Sequence, residues 1–145
     1  MDEATQARYD AGRDLASKGF RSSCYAPFVT LYLDQRGNAR ACCHNDQVPL
    51  GNVSTMRLRE IWEGPAASAL RAALIEYRFD RGCRFCAWQV AAGNMTSPMA
   101  VGYDRYDAQS PAPSWPQALE FSLSNACNLQ CVMCRGEWSS SMSLP

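Results

Sequence analysis

Apolar and polar positions along the chain fall into short, separable runs. Phe28-Val29-Thr30-Leu31-Tyr32-Leu33 is continuous, β-branched and aromatic, and predicts a strand. Asp34-Gln35-Arg36-Gly37-Asn38 has turn chemistry, and Ala39 to Cys43 is the expected return strand of a hairpin. Thr55 to Trp62 predicts a short helix with Leu58, Ile61 and Trp62 on one face, broken by Gly64-Pro65. The clearest periodicity follows. Ala66, Ala69, Leu70, Ala73, Leu74 and Tyr77 recur at helical spacing, and the helix is expected to end before Gly82. Residues 3–18 form a weaker amphipathic stripe, Ala4, Ala7, Ala11 and Leu15. Residues 93–116 are rich in glycine and proline and predict a linker. Beyond them Leu119, Phe121 and Leu123 alternate with polar residues, as in a strand that runs into Cys127.

Composition narrows the chemistry. The 145 residues include eight cysteines and one histidine, His44. Fourteen basic residues balance fourteen acidic ones, so no nucleic-acid or anionic-membrane partner is evident from charge. Lys18 is the only lysine. Residues 1–20 lack an apolar leader core, and no apolar run approaches the ~20 residues of a membrane span. A cytoplasmic setting is therefore expected. There disulfides are rare, and metal or redox chemistry best accounts for eight cysteines. One histidine cannot supply the pair of an H-E-x-x-H zinc site.

Two groups of cysteines stand out. Cys127-Asn128-Leu129-Gln130-Cys131-Val132-Met133-Cys134 is a C-x3-C-x2-C run directly after the last strand. Three thiolates from one loop leave one metal corner open, as a reactive metal site needs. A structural zinc loop with a fourth ligand elsewhere is the alternative. The strand followed by C-x3-C-x2-C, with Asn-Leu in the first gap, resembles the signature of radical S-adenosylmethionine (SAM) enzymes. The resemblance implies that Cys127, Cys131 and Cys134 hold a catalytic [4Fe-4S] cluster that binds S-adenosyl-L-methionine. In that family the reduced cluster cleaves SAM to a 5′-deoxyadenosyl radical, which abstracts hydrogen from a substrate. Met133 stands where many members have an aromatic residue.

In the second group, Cys83-x2-Cys86 is a chelating pair, and Cys24 and Cys42 lie at the two ends of the expected hairpin. Together they make a closed four-cysteine site, which by spacing alone suits zinc and iron–sulfur equally. Cys24, Gly37-x4-Cys42, Leu50-Gly51-Asn52-Val53, Leu58-Arg59-Glu60-Ile61-Trp62, Arg71 and Cys83-x2-Cys86 resemble the SPASM/twitch auxiliary-cluster domains of radical SAM enzymes. The further cysteines of full SPASM domains are missing, so the one-cluster twitch version fits better. The resemblance implies an auxiliary [4Fe-4S] cluster on Cys24, Cys42, Cys83 and Cys86. Adjacent strand residues face opposite ways, so Cys42 and Cys43 should not share one cluster. Cys42 is chosen from the Gly37-x4-Cys42 match, and Cys43 is expected to be a buried apolar thiol, with Cys43 as the ligand in place of Cys42 as the alternative. His44 is expected at the surface or just behind the ligands. Arg78, Arg81 and Arg84 are expected on a solvated face, with charge compensation of a cluster as the alternative. Trp62 is expected in the core.

The expected fold class is α+β. A small twitch-like domain, a β-hairpin plus two helices around a four-cysteine site, is followed by the first strand and cysteine loop of an incomplete radical SAM (β/α) barrel. The divisions are 1–21, an N-terminal helix or arm; 22–92, the SPASM/twitch-like domain; 93–116, a linker; and 117–145, the start of a truncated radical SAM domain. The chain thus reads as the first part of a longer enzyme, inactive alone, with a flavodoxin- or ferredoxin-type reductant as partner and an unknown substrate. A non-catalytic iron–sulfur electron carrier and a zinc-stapled interaction module are the rival readings.

Overall fold

The computed structural model describes residues 1–45, 47–122, 124–129, 131–136 and 139–142. Leu123, expected as the third apolar position of the last strand, lies outside them. The first helix, α1 (Glu3–Ala11), is shorter than the 3–18 stripe. Asp2 caps it by accepting from the Thr5 N–H at 2.8 Å, and it stops at Gly12.

Phe28 and Val29, expected in the first strand, belong to a four-residue helix, α2 (Ala26–Val29), with Pro27 in its first turn. Proline at that position has its φ preset for a helix and no N–H to leave unpaired. Thr30 ends α2: its hydroxyl donates to the Ala26 carbonyl at 3.1 Å, and the chain turns extended. Strand β1 (Thr30–Leu33) then pairs antiparallel with β2 (Asn38–Arg40), with Tyr32 opposite Arg40 and Leu33 opposite Ala39. The turn between them is built on Asp34, whose carboxylate accepts from the Arg36 and Asn38 N–H groups, both at 2.9 Å. A two-residue β3 (Gly51–Asn52) pairs with β2.

Helix α3 (Leu58–Glu63) starts later than expected, because Thr55 and Met56 turn back onto the Asn52 carbonyl. Helix α4 (Pro65–Ile75) carries the predicted apolar stripe and packs against α2 and α3. Its end is set by Tyr77, the one positive-φ residue other than glycine among those described (φ 56°). Helix α5 (Arg84–Ala91) starts at the C-x2-C pair and was not expected from its periodicity.

Residues 93–116, expected as a linker, are folded against the rest. A 3₁₀ helix (Met99–Arg105) within them packs on α2. Ala100, Tyr103, Asp104 and Ala108 are buried. Strand β4 (Ala118–Phe121), expected to begin a second domain, pairs parallel with β1 from Thr30–Ala118 to Leu33–Phe121. It is the outer strand of one four-stranded sheet of order β3-β2-β1-β4. The barrel expected beyond it has no counterpart among the described residues.

The central strand β1 is buried along its whole length. Trp62 is fully buried, as expected, and its indole N–H donates to the Pro113 carbonyl at 3.0 Å. The Arg71 guanidinium lies 4.3 Å over the Trp62 ring and donates to the Pro27 and Trp62 carbonyls, each at 2.9 Å. Arg71 thus ties α4 to α2 and α3. Among the described residues, no helix is long and apolar enough to cross a membrane.

Candidate metal centre

Three separate segments bring four thiols to one place. Cys24 precedes α2. Its approach is fixed by Ser23, whose N–H and hydroxyl both donate to the Leu74 carbonyl at 2.9 and 3.0 Å. Cys42 follows β2, where the chain turns inward and the Asn45 N–H closes on the Cys42 carbonyl at 3.2 Å. Cys83 caps α5 and Cys86 lies in its first turn, so the helical rise places both sulfurs on one side. Gly82 makes the approach to Cys83 with φ +79°, a conformation that costs glycine nothing.

Cys24, Cys42, Cys83 and Cys86 line a single pocket of about 20 Å³, together with Leu74, Phe79, Ala100 and Tyr103. Cys24, Cys42 and Cys86 are buried and Cys83 is half-buried. All eight cysteines are free thiols. Among the described residues no three Cys, His, Asp or Glu side chains close on a single ion-sized point. The sulfurs share a pocket wall instead.

The electrostatics of the pocket follow from its dryness. Burial pushes all four thiols above their ordinary value: Cys83 to about 11, Cys42 to about 12, Cys24 well up, and Cys86 in the same direction. Negative charge on Cys42, Cys83 or Cys86 would push Cys24 up further, a sign of how close the four stand. Hydrogen-bond donors oppose this at every sulfur. The Ala26 N–H points at Cys24 Sγ at 3.4 Å, and the Asn45 side-chain amide donates to Cys83 Sγ at 3.4 Å. Backbone N–H groups of His44 and Asn45 favour the Cys42 thiolate, and those of Ala100 and Met99 favour that of Cys86. Four soft thiol donors ringed by N–H groups, with no carboxylate in the lining, are the donor set of a thiolate-ligated metal, and the sulfurs would have to part from their present spacing to admit a cluster, since the free space holds about one water.

Cys43 departs from expectation. It is exposed, because the turn after β2 that takes Cys42 inward takes its neighbour outward. It lines an open surface concavity with Tyr32, His44, Arg84, Phe85 and Trp88. His44 sits half-buried at the rim, stacked on Phe85 with ring centroids 4.5 Å apart. Arg78 is exposed and paired with Glu76 and Asp80, so its charge is spent at the surface. Arg84 borders the concavity beside Cys43, and Arg81 contributes its carbonyl to Asn45.

The other three cysteines are not brought together among the described residues. Cys131 is exposed, and Cys127 and Cys134 are half-buried. Cys127 Sγ accepts from the Leu129 N–H at 3.4 Å, and the Cys134 N–H closes a turn on the Cys131 carbonyl at 2.9 Å. Gln130, between them, lies outside the described residues.

Sequence reasoning missed Asn45 and the 3₁₀ helix that supplies Ala100 and Tyr103 to the pocket. Gly82, directly before Cys83, was the available hint that the backbone there does something only glycine does easily.

No curated protein and no solved structure matches the chain. One family model does match: SPASM, an iron–sulfur cluster-binding domain that occurs in radical SAM enzymes, over residues 24–87, a span that contains all four cysteines of the pocket.

Proposed function

We propose that Cys24, Cys42, Cys83 and Cys86 hold an auxiliary [4Fe-4S] cluster, and that Cys127, Cys131 and Cys134 hold a second one whose open corner takes SAM. The chain is then part of a radical SAM enzyme working in a reducing cytoplasm, supplied with electrons by a flavodoxin- or ferredoxin-type protein. When bound, the loop cluster supplies the electron that cleaves SAM to a hydrogen-abstracting radical. The observation that carries this reading is the convergence of four free thiols, from residues 24 to 86, on one dry pocket inside the span matched by SPASM.

The two cysteine groups divide the work by exposure. Around the pocket, Phe79, Ala100 and Tyr103 keep water from the four sulfurs, and the N–H groups offset thiolate charge. In the loop, Cys131 is open to solvent, as are Leu129, Val132 and Met133. That access suits a ligand as large as SAM, and the buried pocket does not offer it.

Anaerobic reconstitution with iron and sulfide tests the reading. About eight irons per chain are expected, with two cluster signals by electron paramagnetic resonance. Adding SAM should change one signal, and Cys131→Ala should abolish that one and leave the other. A colourless protein retaining only zinc overturns the proposal. Clusters that both ignore SAM turn it into an electron carrier without this chemistry.

A further inference from the structure

Asn45 is 1 % exposed and stands between the two halves of the four-cysteine site. Its backbone N–H holds the Cys42 carbonyl at 3.2 Å. Its side-chain nitrogen donates to the Arg81 carbonyl at 2.9 Å and to Cys83 Sγ at 3.4 Å. The Arg81 bond fixes which end of the amide is nitrogen, since the reverse orientation would set two acceptor oxygens against each other. The other end, Oδ1, is buried and has no partner among the described residues. An unpaired buried oxygen costs free energy, and a leucine of similar size would avoid that cost. What the amide provides, and leucine lacks, is the pair of donors to Arg81 and Cys83.

At the other sulfurs the donors on hand are backbone N–H groups: Ala26 for Cys24, His44 and Asn45 for Cys42, Met99 and Ala100 for Cys86. Cys83 is served by a side chain, and so by a group a single substitution removes.

We propose that Asn45 sets the reduction potential of the cluster on Cys24, Cys42, Cys83 and Cys86 by donating its side-chain N–H to the Cys83 thiolate. This rests on the iron–sulfur reading above. A cluster that gains an electron places more negative charge on its thiolates. The N–H···S bond strengthens in that state, favours electron uptake and raises the potential.

The test is a redox titration of the reconstituted full chain, carrying Cys131→Ala to remove the loop cluster, with dithionite as reductant. Asn45→Leu is expected to keep its iron and its absorbance. Its ratio of reduced to oxidised cluster at a fixed potential should fall about tenfold, or 59 mV for one electron. Asn45→Asp, of the same size but with an oxygen facing the sulfur, should fall at least as far. Unchanged ratios in both variants at full iron content overturn the inference. A second measurement does not depend on the Asn45 variants: in the Cys131→Ala chain labelled with asparagine carrying ¹⁵N only in its side-chain amide, pulsed electron paramagnetic resonance of the reduced cluster should show a ¹⁵N coupling. Its absence also overturns the inference. If the unmodified chain takes up no iron and sulfide, the cluster reading falls, and this inference with it.

Discussion

Gly82 shows how tightly single residues govern the four-cysteine pocket. Its φ of +79° belongs to the left-handed region, and an added Cβ would sit 3.2 Å from both Asn45 Oδ1 and Val48 Cγ2. Gly82→Ala therefore adds backbone strain and presses on the amide that serves Cys83. A loss of about 1–2 kcal/mol is expected in chemical denaturation of the cluster-free protein. At this scale Cys83 and Cys86 were legible, since metal chelation imposes the C-x2-C spacing on sequence, and Cys42 came from the family resemblance that Gly37-x4-Cys42 carries. The return strand was expected to run from Ala39 to Cys43, but β2 ends at Arg40 and the chain turns at Cys42 and Cys43. That turn puts Cys43 away from the pocket, where there is solvent and no second core. Asn45 was invisible, because a lone asparagine in a polar run has no period to betray it.

Elements that look peripheral in sequence prove to be part of the pocket wall. The 3₁₀ helix Met99–Arg105 brings Ala100 and Tyr103 to the sulfurs. It is held by a buried ion pair, in which Arg13 donates to both carboxylate oxygens of Asp104 at 2.9 and 2.7 Å. Arg13 also donates to the Ser22 carbonyl at 2.8 Å, two residues before Cys24. Asp104→Ala leaves that guanidinium buried beside no carboxylate but Asp10, at a more distant 3.4 Å. A loss of about 3–5 kcal/mol is expected. Hydrogen exchange should show residues 99–105 exposed first; equal protection in variant and parent would contradict this role. The hairpin and α4 were legible because a turn and a long apolar stripe are local signals. The 3₁₀ helix was not, since Gly93, Pro98 and Gly102 give the segment the composition of a linker while Tyr103 and Asp104 find their partners far away in sequence. Helix α5 was hidden by the exposure of Phe85 and Trp88, which blurs its stripe.

For the whole molecule, the decisive pairing is non-local. β4 lies parallel to β1 with each paired position 88 residues further along the chain, and such pairings leave no mark on local periodicity. Read alone, Leu119 and Phe121 suggest a strand but not whose neighbour it is. The buried thiols add a pH dependence to the whole fold. Their folded-state values lie above the ordinary 9.0, with Cys83 at about 11 and Cys42 at about 12. The stability this contributes is fully present below about pH 9 and is lost as pH rises through those values. Burial shifts Tyr9 and Tyr103 the same way. Denaturation midpoints of the cluster-free protein should accordingly fall between about pH 9 and 12, and a flat profile would contradict a dry pocket. Cluster loading replaces the thiol protons, so loading should improve as pH rises toward that range.

The central claim is that Cys24, Cys42, Cys83 and Cys86 together hold an iron–sulfur cluster. Its most direct test is iron and acid-labile sulfide content after anaerobic reconstitution of the chain with Cys127, Cys131 and Cys134 all changed to alanine. The account predicts about four irons and about four sulfides per chain, lost on the further change Cys86→Ala. Zinc without sulfide in the triple variant, or full iron retained after Cys86→Ala, would contradict it.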